Sequence, residues 1–423
     1  MKEHLKEILN CRETSEIPEK LLKTLLDKDR CNDLLVSIDK ALKHKEVDEF
    51  RDFFQNEQSN RKELKQDYTP DGISLLLANI AHKTQKVADI CSGTGSLILG
   101  FLKEHPEVEF VRCEEFSIQA IPFLLLNLML KNIDGEVIHG DSLTKEIFKV
   151  YKLKRSDKFS NIEIGDSPSN ERFDTVISNP PYSLKWNPVH DERFDEYGSA
   201  PASKADYAFV LHAFSLLNKN GELLEILPHG VLFRGGGEGK IKEKLLINGN
   251  ITSVIGLPEK LFLNTSIPTV VLSIKKQRKE DDILFIDASK YFEKGKKQNS
   301  LGQENIQHIV KAYNDRKFID KFAYVSTFSE VENNDFNLNI PRYVDTYEPE
   351  EEIDLEQCLS GWLSVKEEIS KAEDNILEMF SELVPTNKTN TEKFNREKEL
   401  FSKIVHKTKT NERKSEEIQT TLF

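Results

Sequence analysis

The stretch Lys86-Val87-Ala88-Asp89-Ile90-Cys91-Ser92-Gly93-Thr94-Gly95-Ser96-Leu97-Ile98-Leu99-Gly100-Phe101-Leu102 decides the fold. Its first five residues read as a short buried strand and its last seven as the apolar start of a helix. Gly93 and Gly95 fall where strand turns into helix, a place where a ligand can approach backbone closely. Outward from this stretch, strand-like runs recur at residues 108–113, 136–139, 173–178, 221–227, 252–257 and 269–274. Helix-length segments such as 117–130 and 204–217 separate most of them, so the pattern is alternating β and α. The expectation is a doubly wound α/β sheet of seven strands. Its last two are close enough in sequence for an antiparallel edge, and helical extensions flank it at both ends.

The residues at the ends of these strands select the ligand. Glu115 follows the run 108–113, where a carboxylate could take both hydroxyls of a ribose; Glu114 competes with it, and a solvated loop carboxylate is the plain alternative. Gly140-Asp141-Ser142-Leu143 follows the run 136–139, and Asp141 there would face an adenine amino group, although Gly-Asp-Ser is also an ordinary turn and helix cap. Asn179-Pro180-Pro181-Tyr182 follows the run 173–178. An aromatic exocyclic amine or a carboxamide spreads its lone pair into the attached π-system and is a poor nucleophile. Asn179 can accept one amine proton through its side-chain oxygen and the Pro180 carbonyl can accept the other, on a shelf stiffened by two prolines. Tyr182 offers a ring on which a planar target stacks, worth roughly 1–3 kcal/mol for a base. Alone, the tetrapeptide is equally a strand-ending turn. Downstream of the glycine turn it reads as a site for S-adenosylmethionine-dependent methylation of an amino group.

With these motifs in this order, the chain resembles the modification subunits of type I restriction-modification systems, N-6 adenine DNA methyltransferases of the gamma motif order, over roughly residues 65–354. The resemblance is carried by Tyr68-Thr69-Pro70, the turn from Asp89 to Gly95, Gly140-Asp141-Ser142 and Asn179-Pro180-Pro181-Tyr182, with further stretches at 203–209, 228–233, 264–268 and 337–343. It implies S-adenosyl-L-methionine as cofactor, held by Tyr68, Thr69, Pro70, Asp89, Ser92, Gly93, Thr94, Gly95, Glu115, Asp141, Ser142 and Asn179. It further implies catalysis by Asn179, Pro180, Pro181 and Tyr182 without a metal. The partners it implies are double-stranded DNA, from which the base is extracted, a separate DNA-specificity subunit and a restriction subunit. Ile90 stands where the family usually has proline and Ser96 where it often has glycine. The region before Tyr68 is shorter than the family's helical domain, which is implicated in closing over DNA. A protein glutamine methyltransferase would present the same carboxamide geometry to the tetrapeptide, and a non-catalytic DNA-binding or assembly protein could keep the fold.

At 423 residues and 38% hydrophobic content the chain can bury a full catalytic core with helical extensions. The expected layout is a short helical region at 1–64, the catalytic domain at 65–345, a partner-docking helix region at 346–384 and a weakly ordered tail at 385–423. The docking helix could equally pack on its own core. Cys11, Cys31, Cys91, Cys113 and Cys358 are scattered and odd in number, which suggests neither a disulfide framework nor a zinc cluster. With no signal peptide and no apolar run of membrane-spanning length, the cytoplasm is the natural location. A net charge of −13 argues against gripping duplex DNA unaided. The basic runs 234–244 and 275–279 could follow a phosphate backbone or be solvated loops. The glycine-rich segment at 235–240 is not a P-loop, since Ile241 replaces the required hydroxyl residue. The last five residues, Gln419-Thr420-Thr421-Leu422-Phe423, resemble peptides that dock on the bacterial sliding clamp.

Overall fold

The computed structural model describes residues 2–42, 48–51, 54, 69–263, 267–278, 281–347, 354–384 and 388–419. Tyr68, residues 264–266 and the terminal Thr420–Phe423 of the clamp-like peptide lie outside the described residues. Chain contacts divide the molecule into two compact units, Met1–Tyr347 and Glu348–Phe423.

The first unit opens with α1 (Lys2–Ile8), α2 (Ile17–Leu25), α3 (Lys28–Ala41) and α4 (Asp71–Ile80). Then follow β1 (Lys86–Asp89), α5 (Ser96–Glu104), β2 (Phe110–Glu115), α6 (Ile121–Leu130), β3 (Gly135–Asp141), β4 (Glu146–Lys154), β5 (Asn161–Gly165) and β6 (Phe173–Ser178). The remainder comprises α7 (Asp206–Leu216), β7 (Leu217–Pro228), α8 (Gly236–Ile247), β8 (Ile251–Gly256), β9 (Thr269–Lys275), β10 (Ile283–Asp287), α9 (Gln303–Asp315), β11 (Ala323–Ser326) and α10 (Phe328–Asn333).

One sheet in the order β11-β10-β8-β9-β7-β6-β1-β2-β3-β4-β5 runs through this unit. Strands β3, β2, β1, β6 and β7 are mutually parallel. Both faces are covered, so the central strands read as continuous apolar runs. Val87, Ile177 and Leu224 belong to one core with α4, α5 and α6, whereas Ala88, Val176 and Leu223 belong to the other with α7 and α8. Helix α6 is apolar on all sides because α2 and α3 cover its outer face, and Phe123 meets the rings of Phe50 and Phe54 at 5.9 and 5.6 Å.

The sheet has eleven strands rather than the expected seven. The additions are β4 and β5 beyond β3, and β10 and β11 beyond β8. Strand β4 escapes a reading by apolar content because six of the nine residues in Glu146-Ile147-Phe148-Lys149-Val150-Tyr151-Lys152-Leu153-Lys154 are charged or exposed. Strand β10 follows β9 in sequence but pairs with β8 and β11, and helix α9 separates it from β11. The antiparallel pair is not an edge. Strand β9 lies between β7 and β8, antiparallel to both, and β10 continues the sheet parallel to β8.

The second unit holds α11 (Leu355–Glu382) and α12 (Lys388–Gln419). Asp354 caps the first by accepting from the amides of Glu356 and Gln357 at 3.0 and 3.1 Å. The tail expected to be weakly ordered is therefore helical over most of its length. Phe394 and Phe401, both 5.7–5.8 Å from Phe380, give it apolar contacts that its Lys, Thr, Asn and Glu content conceals. Among the described residues no helix is long and apolar enough to cross a membrane.

Candidate active site

Strand β1 ends at Asp89 and the chain reaches α5 through Gly93 and Gly95, whose φ values of 56° and 101° lie in the region that side-chain-bearing residues rarely adopt. A Cβ on Gly95 would also approach Leu124 Cδ1 to 3.1 Å. The turn is bound to the neighbouring strand by the Ser92 amide on the Glu114 carbonyl at 3.0 Å, and closed by the Ser92 hydroxyl on the Asp89 carbonyl at 2.8 Å. Its Gly93 amide donates to Glu115 Oε2 at 2.8 Å, while Ser117 donates its amide to Glu115 Oε1 at 2.7 Å.

Glu114 and Glu115 part ways because successive strand residues face opposite sides of a sheet. Glu115 lines a cavity of about 330 Å³, and burial raises its pKa against the backbone amides of Ser117, Gly93 and Phe116 that favour its charge. Glu114 turns to the other face, where Oε2 receives His212 Nε2 and the Ser142 hydroxyl, each at 2.7 Å. Burial would raise its pKa too, but His212 and Ser142 draw it below the usual carboxylate range. Arg193 completes this strut by bonding His212 Nδ1 and the carbonyls of Ser142 and Leu143, all at 2.7 Å. Together these contacts hold the loop carrying Asp141, whose Oδ1 accepts from the Leu143 amide at 2.9 Å.

The Asn179 turn closes the cavity from the end of β6. Asn179 donates from Nδ2 to Thr69 Oγ1 at 3.1 Å, and its Oδ1 accepts from the Tyr182 hydroxyl at 2.7 Å. The Tyr182 ring stands edge-on to Phe262, centroids 6.0 Å apart. Thus Thr69, Ser92, Gly93, Glu115, Asp141, Ser142 and Asn179 through Tyr182 all line one cavity. Pro70 instead precedes α4, and Asp89, Thr94 and Gly95 lie behind the wall. Asp89 is fully buried, its Oδ2 has no hydrogen-bond partner among the described residues, and burial pushes its pKa up to about 8.

Several participants were not legible in the sequence. Asp48 is buried behind the glycine turn, accepting from the Thr94 hydroxyl, from the Ser96 hydroxyl at 2.9 Å and from Asn127 Nδ2 at 3.0 Å. Ser96, at a position where the family often has glycine, thus gains a partner from the N-terminal region. Phe116, at the rim and 49% exposed, offers an apolar face beside Glu115; an aromatic residue directly after the strand-end acid was the signal available. Described residues of both basic runs are engaged within the protein: Arg234 pairs with Asp206, Lys242 donates to the Leu232 carbonyl at 2.7 Å and Lys276 to the Leu217 carbonyl at 2.9 Å.

The donor set distinguishes between ligands that use such a turn. Carboxylates of Glu115 and Asp141 face the cavity, and the one lysine or arginine among its described lining residues, Lys185, comes from beyond the Asn179 turn. A dinucleotide's pyrophosphate would meet acidic side chains there, whereas an adenosine carrying a cationic sulfonium and ammonium suits them. The sheet order and this site together define a protein of the S-adenosylmethionine-dependent methyltransferase class. Residues 47–352 match the N-6 DNA methylase family, and the chain belongs to that family. It is 34% identical over 307 residues to the type I restriction enzyme MpnII methylase subunit of Mycoplasma pneumoniae, covering 68% of this chain and 54% of that protein. It is 31% identical over 335 residues to the MjaVIII methylase subunit of Methanocaldococcus jannaschii, covering 74% and 54%. The chain therefore spans about half the length of these relatives. Among solved structures, the type I restriction-modification methyltransferase subunit of Streptococcus thermophilus is similar with a TM-score of 0.59 and 28% identity, over 81% of this chain and 92% of that one.

Proposed function

We propose that this chain transfers a methyl group from S-adenosylmethionine to the exocyclic amino nitrogen of adenine in DNA, as the modification subunit of a type I-like restriction-modification system. The observation that carries the reading is the Asn179 turn opening into the same cavity as Glu115 and the glycine turn. S-adenosylmethionine supplies an electrophilic methyl on a sulfonium that departs as a neutral thioether. Glu115 would accept from the ribose hydroxyls, Asp141 from the adenine amino group of the cofactor, and Phe116 would cover its ring. Asn179 Oδ1 and the Pro180 carbonyl would each accept a hydrogen bond from one N–H of the target amine, which concentrates the lone pair on nitrogen; the N–C bond forms as the C–S bond breaks, and the one proton then lost from nitrogen passes to solvent. The Tyr182 hydroxyl, now on Asn179 Oδ1, must give way as the base arrives, and its ring then stacks on that base.

With a net charge of −13 and its basic runs largely engaged within the protein, the chain needs help to hold DNA. A specificity subunit would supply sequence reading, and a restriction subunit would complete the assembly. Helix α11, on which Leu359, Trp362 and Leu363 are exposed, is the docking element we assign to the specificity subunit. The family match across residues 47–352 supports a DNA base over a protein carboxamide. Labelled methyl transfer to unmodified DNA, with and without the specificity subunit and with Asn179→Ala as control, tests the proposal. Label that requires both partner and Asn179 is expected; label in protein glutamine would overturn it.

A further inference from the structure

Asp206 comes from the stretch 203–209 and Arg234 directly follows the stretch 228–233 at the head of the basic run 234–244, and neither lines the cavity. Both converge on Ser183, the residue that follows the Asn179–Tyr182 turn. Ser183 has a φ of 49°, a left-handed backbone that a residue with a side chain adopts only when its surroundings enforce it. The enforcing group is Asp206, the first residue of α7 and fully buried: its Oδ1 accepts the Ser183 amide at 2.7 Å and its Oδ2 lies 3.3 Å from the Ser183 hydroxyl.

Arg234 fixes Asp206 in turn. Its Nη1 donates to Asp206 Oδ2 at 2.7 Å and to Glu238 Oε1 at 3.2 Å, and its Nη2 reaches the Ser183 hydroxyl at 3.3 Å. The guanidinium occupies space that Gly230 leaves open: a Cβ at position 230 would stand 2.7 Å from Arg234 Nε and 2.8 Å from Nη2. Two further carboxyl groups flank the pair. Glu225 on β7 is fully buried with neither oxygen hydrogen-bonded among the described residues, and burial with the nearby Asp206 drives it strongly toward its neutral form. Glu238 is raised by burial as well, though Arg234 opposes the rise. The glycine, the buried ion pair and the left-handed serine form one brace behind the turn.

We propose that Asp206 and Arg234 are positioning residues for the methyl-transfer step, locking Ser183 and thereby setting where Tyr182 and the Pro180 carbonyl stand relative to β6. This rests on the reading of Asn179–Tyr182 as the transfer site. Because the brace makes no contact with the glycine turn, Glu115 or Asp141, its main effect falls on the rate of transfer rather than on cofactor binding.

The test compares wild type with Asp206→Asn, Arg234→Lys and Gly230→Ala, each as the full chain with its specificity subunit. Gly230→Ala reaches the turn through Arg234 without altering either charge. Three quantities are read: S-adenosylmethionine affinity by calorimetry, single-turnover methylation of DNA, and hydrogen exchange of the Ser183 amide. Affinity within about twofold of wild type, transfer slower by roughly tenfold to a hundredfold, and Ser183 exchange faster by at least about tenfold are expected. Wild-type transfer rates in all three variants, or unchanged Ser183 exchange, would overturn the brace, as would affinity falling in step with rate, which marks a general loss of structure. If wild type leaves DNA unmethylated while Ser183 exchange responds as expected, the assignment of the substrate fails and the brace on the turn stands.

Discussion

The hydroxyl of Tyr182 lies 2.7 Å from Asn179 Oδ1, so the acceptor assigned to the target amine is held by a side chain of the same turn. The phenol mimics the incoming amine as a donor, and base binding must exchange one for the other. Tyr182→Phe removes the competing hydroxyl and keeps the ring, so methylation within about tenfold of wild type is expected. Tyr182→Ala loses a stack of roughly 1–3 kcal/mol, a reduction of about 5- to 150-fold in kcat/KM. Steady-state kinetics on a DNA duplex separate the two.

Glu115 and Glu114 are neighbours with different tasks. Glu115→Gln removes a charge-assisted acceptor at the cavity, and loss of about 1.5–3 kcal/mol should weaken S-adenosylmethionine roughly 10- to 150-fold in calorimetry. Glu114→Gln instead loosens the His212–Arg193 strut behind Asp141, and a smaller loss of about tenfold or less is expected.

Asp48→Ala strands the hydroxyls of Thr94 and Ser96 and the amide of Asn127 behind the cofactor turn. Destabilisation of about 2–4 kcal/mol follows for a buried acceptor of this connectivity. Denaturant melts of the variant measure it directly, and an Asp48→Asn protein should fall between.

Asp89 carries a pH dependence whose sign is fixed by burial. Its pKa rises from 3.8 to about 8, so the folded state binds the proton more tightly than the unfolded chain. The resulting stabilisation is full below about pH 4 and is lost as pH rises toward 8. Asp89→Asn should flatten that part of the stability profile, read as Tm across pH 5–8.

The sequence made the centre of the fold legible because a parallel sheet buried on both faces leaves apolar runs, and because glycine at a strand-to-helix turn has a steric cause. Thr69, Glu115, Asp141 and Asn179 could be placed at strand ends or in short motifs, and the fold brings them to one cavity. Strand β4 was hidden by its charged half, and the antiparallel pair was misplaced at an edge because the strands beyond it come later in the chain. Asp48, His212 and Arg193 act through contacts spanning 46, 98 and 51 residues, which no local pattern records. Arg234 read as part of a basic run because its shorter contact, to Asp206, spans 28 residues, although it also bonds Glu238 four residues on.

The most direct test of the central claim is nucleoside analysis of DNA incubated with S-adenosylmethionine, this chain and its specificity subunit. N6-methyladenine formed by the wild type and absent with Asn179→Ala is the predicted result. Methylation on cytosine, or N6-methyladenine formed equally by Asn179→Ala, would contradict the role given to this turn.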